Sequence, residues 1–118
     1  MSDQAMIESK ANAPVESKRA IKYRFFPTYY LNMNSDTQSF ELEVHLPGVK
    51  KEKINIKFLD DMFNLEAEQS ENRFYCLTEA LPFLVNVNSI KAQYDNGLLK
   101  ITGTVKNPLE EAVDVKIE

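Results

Sequence analysis

The chain has 118 residues, 43% of them hydrophobic and 27% charged, which suits one soluble domain with tails and argues against global disorder. Its formal charge of −4 argues against a nucleic-acid partner, because phosphate contacts need a concentration of Lys and Arg. A single cysteine excludes an internal disulfide, and no apolar run approaches the roughly 20 residues that span a bilayer, so no membrane partner is expected.

In chain order, Met6-Ile7 is followed at once by Glu8-Ser9-Lys10, so no secretory apolar core is expected and the default compartment is cytoplasmic. Residues 1–27 read as a flexible N-terminal arm, polar up to Ser17 and then basic and aromatic from Lys18 to Phe26. Within it Ile21, Tyr23, Phe25 and Phe26 are expected to pack on the domain or on a neighbour.

After Pro27, Thr28 to Met33 has the β-branched and aromatic content of a strand, closed by the turn residues Asn34-Ser35-Asp36. Phe40, Leu42, Val44 and Leu46 alternate with Glu41, Glu43 and His45, which predicts a half-buried antiparallel strand ended by Pro47-Gly48. Ile54, Ile56 and Phe58 repeat the pattern. Phe63, Leu65 and Ala67 repeat it again after a turn at Asp60-Asp61. A strand over Arg73 to Leu81 follows a short polar link, Gln69 to Asn72, and stops at Pro82. Its Cys76 is read as a small apolar packing residue. Ile90, Ala92 and Tyr94 then face Leu99, Ile101, Gly103 and Val105 across Asp95-Asn96-Gly97, where an Asn-Gly pair suits a tight primed hairpin turn. Seven short strands and no helix predict an all-β, two-sheet antiparallel sandwich over residues 28–105. On the tail 106–118, Val113, Val115 and Ile117 recur at spacing two among charged residues, a pattern suited to lying along a sheet edge or forming one more strand on its own domain.

Catalytic chemistry finds little support. His45 is the only histidine and has no partner at metal-ligand spacing. Three glycines far apart make no phosphate loop, and no Ser or Cys has a histidine base nearby in sequence. Asp60-Asp61 and Glu110-Glu111 read as solvated surface. No enzyme, metal or cofactor is expected.

Two motifs carry a family resemblance. Ala92, Asn96, Gly97 and Leu99 form A-x-x-x-N-G-x-L, which resembles the signature of the α-crystallin domain of small heat-shock proteins, the Hsp20 family. Glu43 to Ile54, E-V-H-L-P-G-V-K-K-E-K-I, resembles that family's D-L-P-G-V segment, with His45 in place of the usual Asp. The resemblance implies an immunoglobulin-like sandwich and an ATP-independent holdase that binds non-native client proteins. It also implies a homo-oligomer built from dimers, with Val115-Lys116-Ile117 as a V-x-I tail motif. That tail would dock between the strand of Ile54, Ile56 and Phe58 and the strand of Ile90 and Ala92, and the aromatic arm would contact clients or neighbours. The four-residue link at Gln69 to Asn72 spans at most roughly 14 Å, too little to supply the swapped strand found in many members. Leu77 also stands where the family often has an Arg that carries dimer contacts. An edge-to-edge pairing of the Arg73–Leu81 strands is one substitute dimer, and a monomeric domain is another. The alternative reading is a p23-like (CS-type) adaptor, a similar sandwich that need not oligomerise.

Overall fold

The computed structural model describes residues 22–118. Among the described residues, eight strands form two four-stranded sheets. They are β1 (Tyr23–Phe25), β2 (Tyr29–Asn34), β3 (Ser39–His45), β4 (Ile54–Phe58), β5 (Met62–Ser70), β6 (Arg73–Ala80), β7 (Lys91–Asp95) and β8 (Leu98–Thr104). The first sheet has the order β2-β3-β8-β7 and the second β1-β6-β5-β4. Single 3-10 turns at Lys51–Lys53 and Val87–Ser89 are the only helical elements among the described residues. The architecture is the all-β sandwich that the alternation predicts.

Between the sheets the period-two rows meet. Phe40, Leu42 and Val44 of β3, Phe63, Leu65 and Ala67 of β5, Leu77 of β6, and Leu99 and Ile101 of β8 are all buried. Outer positions of β3 and β8 are charged instead: Lys100 sits 3.3 Å from Glu41 and 3.9 Å from Glu43. Gly103 occupies a core row because an aromatic ring takes its volume. A Cβ there would lie 2.7 Å from Cε1 of Phe40 and 3.2 Å from Oγ of Ser89.

Three features depart from the sequence reading. An eighth strand, β1, pairs in parallel with Arg73–Tyr75 of β6. Its three residues carry no period of their own, and the cation–aromatic contact of Arg73 over the Phe25 ring, 4.4 Å to its centroid, helps seat it. The β5–β6 link is tighter than expected. β5 runs on to Ser70, which pairs with Arg73, leaving Glu71-Asn72 as the turn. Cys76 is half-buried on the outer face of β6 rather than packed in the core, with Nη1 of Arg24 3.3 Å from its sulfur. Tyr75, Leu77 and Glu79 form the inner row. The half-buried Glu79 is tolerated there because it sits at the rim beside the Tyr29 phenol.

Gly103→Ala is expected to destabilise the domain by about 1–3 kcal/mol through overpacking against Phe40, read as a lower urea midpoint at unchanged m-value.

Candidate docking site

The sandwich is open along one flank. Tyr29 of β2 packs on Phe63 of β5, and Phe40 of β3 packs on Phe58 of β4. The sheets are therefore offset, and β8 and β7 continue past β4. β4 and β7, each at the end of its own sheet, are the free edges on this side. Their exposure records the gap. Ile54, Ile56 and Phe58 are only half-buried, although their partners Ala67, Leu65 and Phe63 are buried. Ala92 is exposed, although it shares its row with buried Ile101, and Ile90 is half-buried against the core. A cavity of about 240 Å³ lined by Lys57, Phe58, Leu59, Met62, Phe63 and Asn64 lies at the hairpin end of β4. Of the residues expected to form a groove, Ile54, Ile56 and Phe58 lie on the free edge of the second sheet and Ala92 on that of the first, with Ile90 just before it.

The two sequence motifs touch at the corner that leads from the first sheet to the second. Asn96 and Gly97 adopt φ of 48° and 83°, the left-handed pair of a primed turn. The turn lies on the Leu46-Pro47-Gly48 corner: Leu46 N–H donates to the Gly97 carbonyl at 2.6 Å. Any Cβ on Gly97 would lie 3.3 Å from Cα of Pro47. Two side chains that the sequence reading did not single out complete the clasp. The Tyr94 hydroxyl lies 2.6 Å from the Val49 carbonyl and 3.0 Å from that of Leu46. From the other sheet, Nε2 of Gln69 donates to the Pro47 carbonyl at 2.8 Å. Gln69 occupies the register shift in β5, and nothing in the local sequence announces such a bulge. Five residues after Val49 the chain enters β4, so the clasp ties the start of β4 to β7.

Burial raises the Tyr94 phenol above its ordinary value of 10.0, and burial followed by the charge of Glu79 raises Tyr29 in the same sense. Both groups are neutral in the folded state at neutral pH.

The tail lies apart from both edges. After a turn over Pro108–Glu111, residues 112–118 take no secondary structure, and Val113, Val115 and Ile117 are 83%, 84% and 93% exposed. They add no strand to their own domain. At the opposite end, Phe26 is 86% exposed, Tyr23 is exposed, and Phe25 is tilted against Tyr75. Ile21 falls outside the described residues. Along the outer edge of β6, β1 covers Arg73–Tyr75 but not Cys76–Ala80. His45 is exposed, edge-on to Tyr30. Among the described residues, no three His, Cys, Asp or Glu side chains cluster as a metal site, and no helix is long and apolar enough to cross a membrane.

Residues 32–118 match the model of the Hsp20/alpha crystallin family. The chain is 30% identical over 92 residues to the chloroplastic small heat shock protein of Oxybasis rubra, covering 71% of this chain and 45% of that one. It therefore spans just under half the length of that curated relative. The fold is similar to that of heat shock protein 16.0 from Schizosaccharomyces pombe, with a TM-score of 0.59 at 21% identity over 80% of this chain and 99% of that one. HSP18.5 from E. histolytica gives a TM-score of 0.62 at 15% identity, over 79% and 99% of the two chains.

Raising the pH above about 10 should destabilise the domain, because the unfolded chain releases the Tyr29 and Tyr94 protons before the folded one does. Stability is full below that value and is lost as pH rises through the folded values. Tyr94→Phe should cost about 1 kcal/mol at neutral pH through the lost hydrogen bond. Its alkaline decline should be shallower than that of the unmodified chain, as measured by urea denaturation between neutral and alkaline pH.

Proposed function

The chain belongs to the Hsp20/alpha-crystallin family, and on that premise we propose that it is an ATP-independent holdase that captures partly unfolded proteins and assembles through its C-terminal V-x-I tail. The observation that carries this reading is a pair of free sheet edges with partly exposed apolar residues on the same chain as an exposed apolar comb. A cleft between two free edges offers backbone hydrogen bonds as well as apolar contact. Val113, Val115 and Ile117 supply an extended segment with side chains at the matching period of two.

In this reading the tail of one copy seats in the cleft of another, over Ile54, Ile56, Phe58, Ile90 and Ala92. Full burial of an aliphatic side chain contributes about 1.5–3 kcal/mol, from which the ordering of the tail must be subtracted. Each docked tail is therefore weak, and the particle holds together because many act at once. A client segment with unpaired backbone and apolar side chains competes for the same surface. The exposed ring of Phe26, with Tyr23 and Phe25, adds a second apolar contact at the arm. Capture removes the aggregation-prone state from solution by mass action and needs no nucleotide.

The dimer that would form the building block cannot rest on a swapped loop, since β5 and β6 are joined by Glu71-Asn72 alone. The run Cys76–Ala80 of β6, beyond the reach of β1, is the surface we assign to that contact.

Replacing Val115 and Ile117 with Gly should reduce a large particle to dimers or monomers by light scattering. Suppression of aggregation of a heat-labile client should then change with it. An unmodified chain that stays monomeric at all concentrations would instead favour the adaptor reading.

A further inference from the structure

We infer that the tail docks antiparallel on β4 in one register, fixed by a row of charges on the solvent side, with Asp114 against Lys57 and Glu118 against Lys53. The inference rests on the tail-docking reading above and adds to it what selects the partner segment and its alignment.

Directly opposed residues of paired strands point to the same face, so an added strand brings one inner and one outer row. On β4 the inner row is Ile54, Ile56 and Phe58, and the outer row is Lys53, Asn55 and Lys57, all three exposed. Lys53 stands just before the strand, and its ammonium lies 3.6 Å from Glu68 on the outer face of the same sheet. On the tail the inner row is Val113, Val115 and Ile117, and the outer row is Asp114, Lys116 and Glu118. Laid antiparallel, Val113 meets Phe58, Val115 meets Ile56 and Ile117 meets Ile54. The same alignment sets Asp114 against Lys57, Lys116 against the neutral Asn55, and Glu118 against Lys53. All three apolar pairs and both opposite-charge pairs form together.

Other alignments lose something definite. A slip of one residue turns the comb outward. Slips of two in either direction set Lys116 against Lys53 or Lys57, a like-charge pair. Run in parallel with the charges satisfied, the tail places Val113 against Glu52 and leaves Phe58 uncovered. Because Glu68 already shares Lys53, Lys57 is the principal electrostatic determinant.

The test is a charge swap in the full chain, with particle mass followed by light scattering over a dilution series. Lys57→Glu and Asp114→Lys, each alone, should weaken docking about tenfold per tail, the scale expected when one cross-strand pair changes from opposite to like charge. Combining both in one chain should restore the mass, and so should an equimolar mixture of the two single variants, because each then offers the tail that the other's cleft accepts. Glu118→Lys should not rescue Lys57→Glu. Both positions are exposed, and far-UV circular dichroism checks that the fold is kept. The milder variants Lys57→Gln and Asp114→Asn should each weaken docking less than the reversals at low salt, without rescue when combined, and the difference from the unmodified chain should fade at high salt. If the single reversals keep full mass while the Val115/Ile117 glycine variant loses it, the charge register is wrong and tail docking stands. If the glycine variant also keeps its mass, docking itself is wrong. Rescue by Glu118→Lys instead of Asp114→Lys, or no rescue in the mixture, overturns the antiparallel pairing between copies.

Discussion

The corner Leu46-Pro47-Gly48-Val49 holds the molecule together more than any single strand does. Here the chain leaves the first sheet for the second, and three residues grip it through four hydrogen bonds. Gly97 accepts from the Leu46 N–H, the Tyr94 hydroxyl reaches the carbonyls of Leu46 and Val49, and Gln69 reaches that of Pro47. Proline cannot donate and Gly48 sits at φ 78°, so the corner cannot continue the ladder of β3 and must be satisfied from outside. Those outside partners come from both sheets. The clasp therefore ties the start of β4 to β7, the two free edges.

The remaining edges are managed differently. β2 ends the first sheet with the exposed polar residues Asn32 and Asn34 facing out. β6 is half-covered by β1, whose parallel pairing brings Arg24 between Glu66 and Cys76 on the outer face. That arrangement is made of solvent-exposed surface contacts, so β1 is the part of the second sheet most easily removed. A covered edge that can be uncovered fits a protein whose proposed work depends on exposing apolar surface on demand.

Much of this was legible in the sequence, and the misses have physical causes. β3, β4, β5 and β8 have one wet face and one dry face, so alternation located them within a residue or two. The Asn-Gly turn was legible because few residue pairs accept two positive φ values in succession. β6 was harder. Both of its rows contain apolar side chains, Phe74 and Cys76 on one and Tyr75 and Leu77 on the other, while Glu79 lies on the inner row. Only the partner Tyr29 reveals why that is allowed. β1 was missed because three residues in parallel pairing are defined by their neighbour, not by their own pattern. The strands at these edges were legible from their period, the groove between them was only what the family resemblance implied, and the partial exposure of the edge residues was not legible. That follows from the offset of two sheets, which is decided by how Phe40, Phe58 and Phe63 stack.

An apolar edge left open is a hazard, because any strand of suitable period can pair with it and the pairing can propagate. Short strands and outer lysines limit that risk on β4 without removing its backbone donors and acceptors. In the proposed assembly the tail resolves the conflict. It is tethered, so its local concentration is high within a particle, and it is acidic, so it suits the lysine row where an uncharged client strand does not. A client must then outcompete a weak but ever-present plug, which it does only when it offers more buried apolar area than three small side chains. Selectivity for unfolded over folded proteins thus emerges from the modest size of the comb. A longer or more hydrophobic tail would hold the particle more tightly but would keep clients out.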